Sequence, residues 1–110
     1  MVTVEVYRDA AGRIRGFRST GHAGYGAYGQ DIVCAAVSAI TQTAVLGLLE
    51  HVKAEAAVAQ APGRLECKVS GEWAAREAVQ AVLAAMTLGL REVERQYPKH
   101  VRVRDVEVSS

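Results

Sequence analysis

Valines at positions 2, 4 and 6 alternate with Thr3, Glu5 and Tyr7. This period of two in β-branched residues predicts a half-buried strand over 2–8. Asp9-Ala10-Ala11-Gly12 follows as a hairpin turn, with Gly12 supplying a positive φ. Residues 13–20 return as a second strand of weaker alternation, and Gly16 inside it marks a bulge or a close backbone approach. Gly21, Gly24, Gly26 and Gly29 then crowd residues 21–30, a density that cannot hold a helix and weakens a strand, so this stretch is expected as a loop. Asp31 stands where an N-cap belongs, ahead of an apolar helix over about 32–49. Both faces of that helix are apolar, so it is expected to be central or shared with a second subunit. Cys34, Ser38, Thr41, Val45 and Leu48 follow steps of four and three along one face.

The second half repeats the pattern. Pro62-Gly63 turns the chain between an Ala-rich, ambiguous segment, 54–60, expected as a strand, and a clear strand in which Leu65, Cys67 and Val69 alternate with Glu66, Lys68 and Ser70. Ser70 can cap a helix over roughly 72–96, where Val79, Leu83, Met86, Leu90, Val93 and Tyr97 form a stripe and Arg76, Glu77, Gln80, Arg91, Glu94 and Arg95 lie off it. Pro98 ends the helix, and Val101 and Val103 open a last strand that Val106 and Val108 continue. The order ββαββαβ predicts an α+β, two-layer sandwich of about five short strands with two helices packed on one face. A chain of 110 residues suits a single domain, 1–110.

Composition adjusts this picture in three ways. Half the residues are hydrophobic but only 5% are aromatic, so the core is built from Ala, Val, Leu and Ile. Such side chains bury little area each, and self-association would add stability to a domain of this size. The net charge of +1 comes from scattered charges, without the clustered basic face of a nucleic-acid binder, so no direct nucleic-acid binding is expected. Arg8, Arg13, Arg15 and Arg18 do gather in the first two strands, either as solvated strand residues or as a contact for an acidic partner or ribosomal RNA. Finally, Ile32 to Leu49 runs 18 residues without a charge, the lower limit for a membrane span. Ser38, Thr41, Gln42, Thr43, Gly47 and the dominance of Ala over Leu and Phe favour a helix buried in a soluble protein instead, and no membrane association is expected.

Candidate chemistry concentrates where the glycine-rich loop meets the apolar helix. With Asp31 as cap, Cys34 falls in the first helical turn, where unpaired N–H groups and the helix dipole favour thiolate over thiol. His22, twelve residues upstream at a strand end, is the histidine that could exchange a proton with that thiol and then protonate a leaving amine. N–H groups of the helix start or of the glycines could donate to an oxyanion, and the loop reads as a mobile lid. Each residue also has a plainer reading: Cys34 as a small core residue, His22 as a turn residue, Asp31 as a cap rather than a group orienting His22, and Ser38 as bonded back to the carbonyl of Cys34 rather than steadying the thiol. A phosphate cradle is disfavoured because G-x-x-x-x-G-K-[ST] is missing, and a metal site because C-x-x-C and H-x-x-x-H are missing; neither metal nor cofactor is expected. Cys67 reads as a packed thiol, while His51 and His100 sit near helix C-termini where the dipole favours them. Two cysteines without a C-x-x-C, and a strand pattern beginning at Met1 with no signal segment, suggest a reducing cytoplasm.

The run Gly21-His22-Ala23-Gly24-Tyr25-Gly26, then Gly29, then Asp31-Ile32-Val33-Cys34-Ala35-Ala36-Val37-Ser38-Ala39, resembles the signature of the ribosomal-processing cysteine protease family Prp, also called YsxB-like. Gln42-Thr43-Ala44 through Leu48-Leu49-Glu50 is similar to the family helix, and Glu94-Arg95-Gln96-Tyr97-Pro98 with Val101-Arg102-Val103 to its C-terminal end. The resemblance implies a bacterial, cytoplasmic cysteine endopeptidase that removes a short N-terminal extension from a large-subunit ribosomal protein, cutting after an aromatic residue in a hydrophobic stretch. It implies His22 and Cys34 as the catalytic pair, Asp31 and Ser38 as supporting residues, and Gly21, Gly24, Tyr25, Gly26 and Gly29 as a lid and substrate-binding loop. It also implies a homodimer. A non-catalytic peptide-binding ribosome-assembly factor using the same groove is the alternative.

Overall fold

The computed structural model describes residues 1–21 and 28–109, with the backbone alone for 28–31. Five strands form one sheet: β1 (Val2–Arg8), β2 (Ile14–Thr20), β3 (Ala56–Ala61), β4 (Arg64–Val69) and β5 (Val101–Glu107). Their spatial order is β3-β4-β2-β1-β5, antiparallel throughout except that β5 runs parallel to β1. The parallel pair needs a crossover, which the helices α1 (Tyr28–Leu46), α2 (Gly71–Ala74) and α3 (Glu77–Gln96) and the β3–β4 hairpin supply. The expected α+β sandwich is therefore the observed one.

Alternation does its expected work. Val2, Val4 and Val6, Ile14 and Phe17, Leu65, Cys67 and Val69, and Val101 and Val103 all point to the helix side and are buried. From the helices come Val33, Val37, Ala44 and Leu48 on one side and Val79, Leu83, Met86 and Leu90 on the other. Gly16 is where β2 breaks register: Tyr7 pairs with Gly16 but Arg8 with Ile14, so Arg15 is the extra residue of a bulge. With φ at +149°, a Cβ at Gly16 would lie 2.1 Å from the carbonyl oxygen of Cys67 on β4. The first hairpin closes on Gly12 at φ +82°. Beneath it the buried Asp9 carboxylate accepts the N–H groups of Ala11 (3.0 Å) and Arg13 (3.1 Å).

Three element boundaries differ from the sequence expectation. The helix begins at Tyr28 rather than after Asp31, so Gly29 and Asp31 belong to its first turn and Asp31 is not the residue that caps it. At the other end α1 passes into one π turn, Gly47–His51, closed by Val52 N–H to Gly47 C=O at 3.0 Å. The helix expected over 72–96 is two helices. Ser70 caps the first as anticipated, its hydroxyl accepting from Trp73 N–H at 3.3 Å. Arg76 then takes an extended backbone (φ −80°, ψ 132°), lays its guanidinium over the Trp73 ring at 3.8 Å and starts α3 on a new axis.

The arginines gathered in the first strands lie beside carboxylates. Arg8 meets Asp105 at 3.0 Å, Arg13 meets Asp9 at 3.2 Å and Arg18 meets Glu5 at 2.8 Å, while Arg15 lies 3.8 Å from Asp9.

Candidate active site

A cleft of about 130 Å³ opens between α1 and the end of the sheet where β1 begins and β2 ends. One wall is the α1 face carrying Cys34, Val37, Ser38, Thr41 and Gln42. The opposite wall comes from the β3–β4 hairpin: Gln60, Ala61, Gly63, Arg64 and Leu65. Val2, Ser19 and Gly21 close the end. The helical spacing predicted from sequence thus brings Cys34, Ser38 and Thr41 to one surface, and that surface is a cleft wall.

Local chemistry orients this wall. Thr41 is buried and its hydroxyl donates to the Val37 carbonyl at 2.8 Å. Ser38 Oγ accepts from Gln42 Nε2 at 3.0 Å, so the serine hydroxyl is held from the turn below. Cys34 is half-buried. Because α1 starts at Tyr28, Cys34 stands in the second turn and not the first, and the orphan N–H groups belong to the residues before it. Its side chain still leans toward the helix N-terminus, as Cα–Cβ bonds in helices do. Burial pushes the other thiol, Cys67, up to about 11, which leaves it protonated and unreactive near neutrality.

The approach to His22 is fixed by two glycines. Gly21 N–H donates to Gly63 C=O at 2.9 Å, tying the end of β2 to the Pro62-Gly63 turn. Gly21 has φ +150°, and a Cβ there would lie 2.9 Å from the Met1 carbonyl oxygen and from Val2 Cα. Gly63 has φ +72°, and its Cβ would lie 2.7 Å from the Gly21 carbonyl oxygen. Neither position accepts a side chain without moving the other strand. His22, Gly24, Tyr25 and Gly26 lie outside the described residues, as do the side chains of Gln30 and Asp31. Among the described residues no group of three or more His, Cys, Asp or Glu side chains could hold a metal ion.

The family model for cysteine protease Prp matches residues 1–102, nearly the whole chain and all the elements that build the cleft. The chain belongs to the Prp family of cysteine proteases. It is accordingly a cysteine-type peptidase. Curated Prp relatives agree over their full length. The Bacillus subtilis ribosomal processing cysteine protease Prp is 30% identical over 107 residues, covering 94% of this chain and 96% of that one. The Staphylococcus aureus protein of the same name is 24% identical over 103 residues, covering 94% and 97%. Among solved structures, SMU.848 from Streptococcus mutans superposes with a TM-score of 0.87 at 28% identity, over 98% of this chain and 96% of that chain. The S. aureus Prp protease with a covalently linked product peptide shares the fold, with a TM-score of 0.85 at 24% identity over 96% and 100% of the two chains.

The cleft has a wall that residue patterns did not single out. Gln60, Ala61, Gly63, Arg64 and Leu65 were visible only as a turn and a strand. The pairing of β4 with β2 is what carries them beside Gly21, since Thr20 is opposite Arg64. Pro62-Gly63 signalled the turn; nothing local signalled its neighbour in space.

Proposed function

We propose that Cys34 is the nucleophile and His22 the general base and acid of a peptidase that removes a short N-terminal extension from a large-subunit ribosomal protein. One observation carries this reading: Gly21, the residue bonded to His22, lines the same small cleft as Cys34. Gly21 and Cys34, thirteen residues apart in the sequence, thus line one cavity. The matched relatives are named for ribosomal processing, which supports the same substrate class here. In the reaction, the Cys34 thiol yields its proton to His22 and the sulfur attacks the scissile carbonyl. The C–N bond then breaks as the imidazolium protonates the leaving amine, and water hydrolyses the thioester. Ser38 and Asp31 support the site, Gly24, Tyr25 and Gly26 cover the substrate, and Gly21 and Gly29 frame that cover from the cleft end and the start of α1. The cytoplasm is the compartment in which such a reduced thiol and a ribosomal substrate meet.

The test uses a peptide spanning the extension and flanking residues of the host's ribosomal substrate. Cys34→Ala is expected to bind it and leave it intact, with cleavage down by at least about 10⁴-fold, the scale seen on removing a nucleophile. Cleavage at the wild-type rate by that variant overturns the assignment. Slow, equal alkylation of Cys34 and Cys67 in the native protein would favour a peptide-binding assembly factor instead.

We also propose that the protein works as a homodimer joined through the outer face of α1 and α3. Ile32–His51 is long and apolar enough to cross a membrane, with a mean hydropathy of 2.0, yet only 28% of that window is buried. Its outer face forms an apolar groove with α3, built from Ala39, Ile40, Thr43, Ala44 and Gly47 against Val82, Ala85, Met86 and Gly89. Small residues on both helices admit the close approach of another helix pair, and Leu46 and Leu88 flank them at 60% and 70% exposure.

A further inference from the structure

The two edges of the sheet are treated differently. At the β5 edge, α3 reaches over: Glu94 Oε2 accepts from Val103 N–H at 2.9 Å, and Arg91 Nη2 meets Asp105 Oδ2 at 3.1 Å. Arg102, Arg104, Asp105 and Glu107 put charge along the rest of that strand. These are the usual devices that stop an edge from pairing with another chain. The β3 edge has none of them. Its sequence, Ala-Ala-Val-Ala-Gln-Ala, holds no charge and no proline, and five of its six residues are exposed. Its pairing with β4 runs from Ala56 to Ala61 without a bulge. Among the described residues, no side chain hydrogen-bonds to its backbone.

An undefended edge costs a protein solubility unless something uses it. Here the edge runs straight into the cleft, because Gln60 and Ala61 belong to β3 and line the cavity that Cys34 faces. Resting on the peptidase reading above, we propose that the free edge of β3 is the docking rail for the substrate: an extended peptide segment adds there as a sixth strand and delivers the adjoining scissile bond to Cys34. Main-chain hydrogen bonds would provide affinity with little demand on sequence, and side chains at alternate positions would meet the cleft. The register identifies the donors. Ala61 and Arg64 close a two-residue turn, so that pair exchanges hydrogen bonds. Alternation then turns the N–H and C=O groups of Ala56, Val58 and Gln60 outward.

The experiment measures binding of the ribosomal-substrate peptide to the Cys34→Ala protein, with one peptide amide N-methylated at a time. Methylation is expected to weaken binding about fivefold or more at every second position of the docking segment, and little at the positions between, the loss set by one backbone hydrogen bond. Val58→Pro, in the same background, removes an outward N–H that β4 does not use. It is expected to bind several-fold more weakly than Val58→Ala, which trims the side chain and keeps the donor. A flat N-methyl scan overturns the rail whether or not Val58→Pro folds. So does a Val58→Pro protein that binds as Val58→Ala does, or one whose only change is loss of a dimer, which would make the edge a contact between copies. If wild-type protein fails to cut the unmodified peptide, the peptidase reading falls; if it cuts while the scan is flat, the rail alone falls.

Discussion

Gly16 shows how one residue can let two strands approach closely. Its missing side chain lets β2 pass against the Cys67 carbonyl, and Gly16→Ala would press a methyl to 2.1 Å from that oxygen. The left-handed backbone alone costs about 1–3 kcal/mol for a non-glycine residue, and the clash adds to it, so urea unfolding of that variant is expected to show a clear loss of stability. Gly63→Ala is the more local probe. It strains the clasp on Gly21 and is expected to lower the cleavage rate more than it lowers the melting temperature. Thiol reactivity separates the two cysteines: iodoacetamide near pH 7 is expected to label Cys34 and leave Cys67 nearly untouched while the protein is folded, since burial holds the latter up near 11. The sequence pointed to the bulge at Gly16 and to Cys67 as a packed thiol, because each announces itself by its own chemistry. It could not point to Gly63 as part of the site, whose role exists only through Gly21.

At the scale of elements, hydrophobic period identified β1, β4, β5 and the long helices, left the Ala-rich β3 ambiguous, and missed what side chains do across them. Gln80 lies off the apolar stripe of α3 and looks like a solvated residue. Instead its amide accepts from Ile14 N–H at 2.9 Å and donates to Ile14 C=O at 2.8 Å, satisfying the backbone beside the bulge. Gln80→Ala would leave both groups without that partner, at about 1–3 kcal/mol, readable as a shift of the urea midpoint. The break at Arg76 was equally hidden, since 72–96 has the composition of one helix. The start of α1 was misplaced for a physical reason: glycine's low propensity argued for a loop through Gly29, but the apolar run that follows supplies a helix long enough to carry an unfavourable first turn.

For the molecule as a whole, acid and association are the informative stresses. Glu5 is held below its ordinary value by its hydrogen bond from Arg18, and Glu92 is brought down to about 2 by Arg95 and Gln96. At Asp9 burial pushes the carboxyl up, but the N–H groups of Arg13 and Ala11 outweigh it and the net shift is downward. Carboxyls depressed on folding stabilise fully above their unfolded values, near 4.5 for glutamate and 3.8 for aspartate. That support is lost as pH falls through the folded values. Thermal midpoints are therefore expected to hold from pH 7 to about 5 and to drop below about 4. Ala85→Glu, placed in the groove between α1 and α3, is expected to convert the proposed dimer to monomer in analytical ultracentrifugation without unfolding the protein. The parallel pairing of β1 with β5 has a practical corollary. Both strands start at the cleft end of the sheet and finish beside the first hairpin, with Val2 opposite Val101 and Arg8 opposite Glu107. An affinity tag fused ahead of Met1 would emerge at the mouth of the cleft, beside Gly21, where it competes with substrate or is itself trimmed. A tag fused after Ser110 follows a strand that finishes at the opposite end, at Glu107, so comparing the activity of the two fusions is a fast and inexpensive check on which end of the molecule does the cutting.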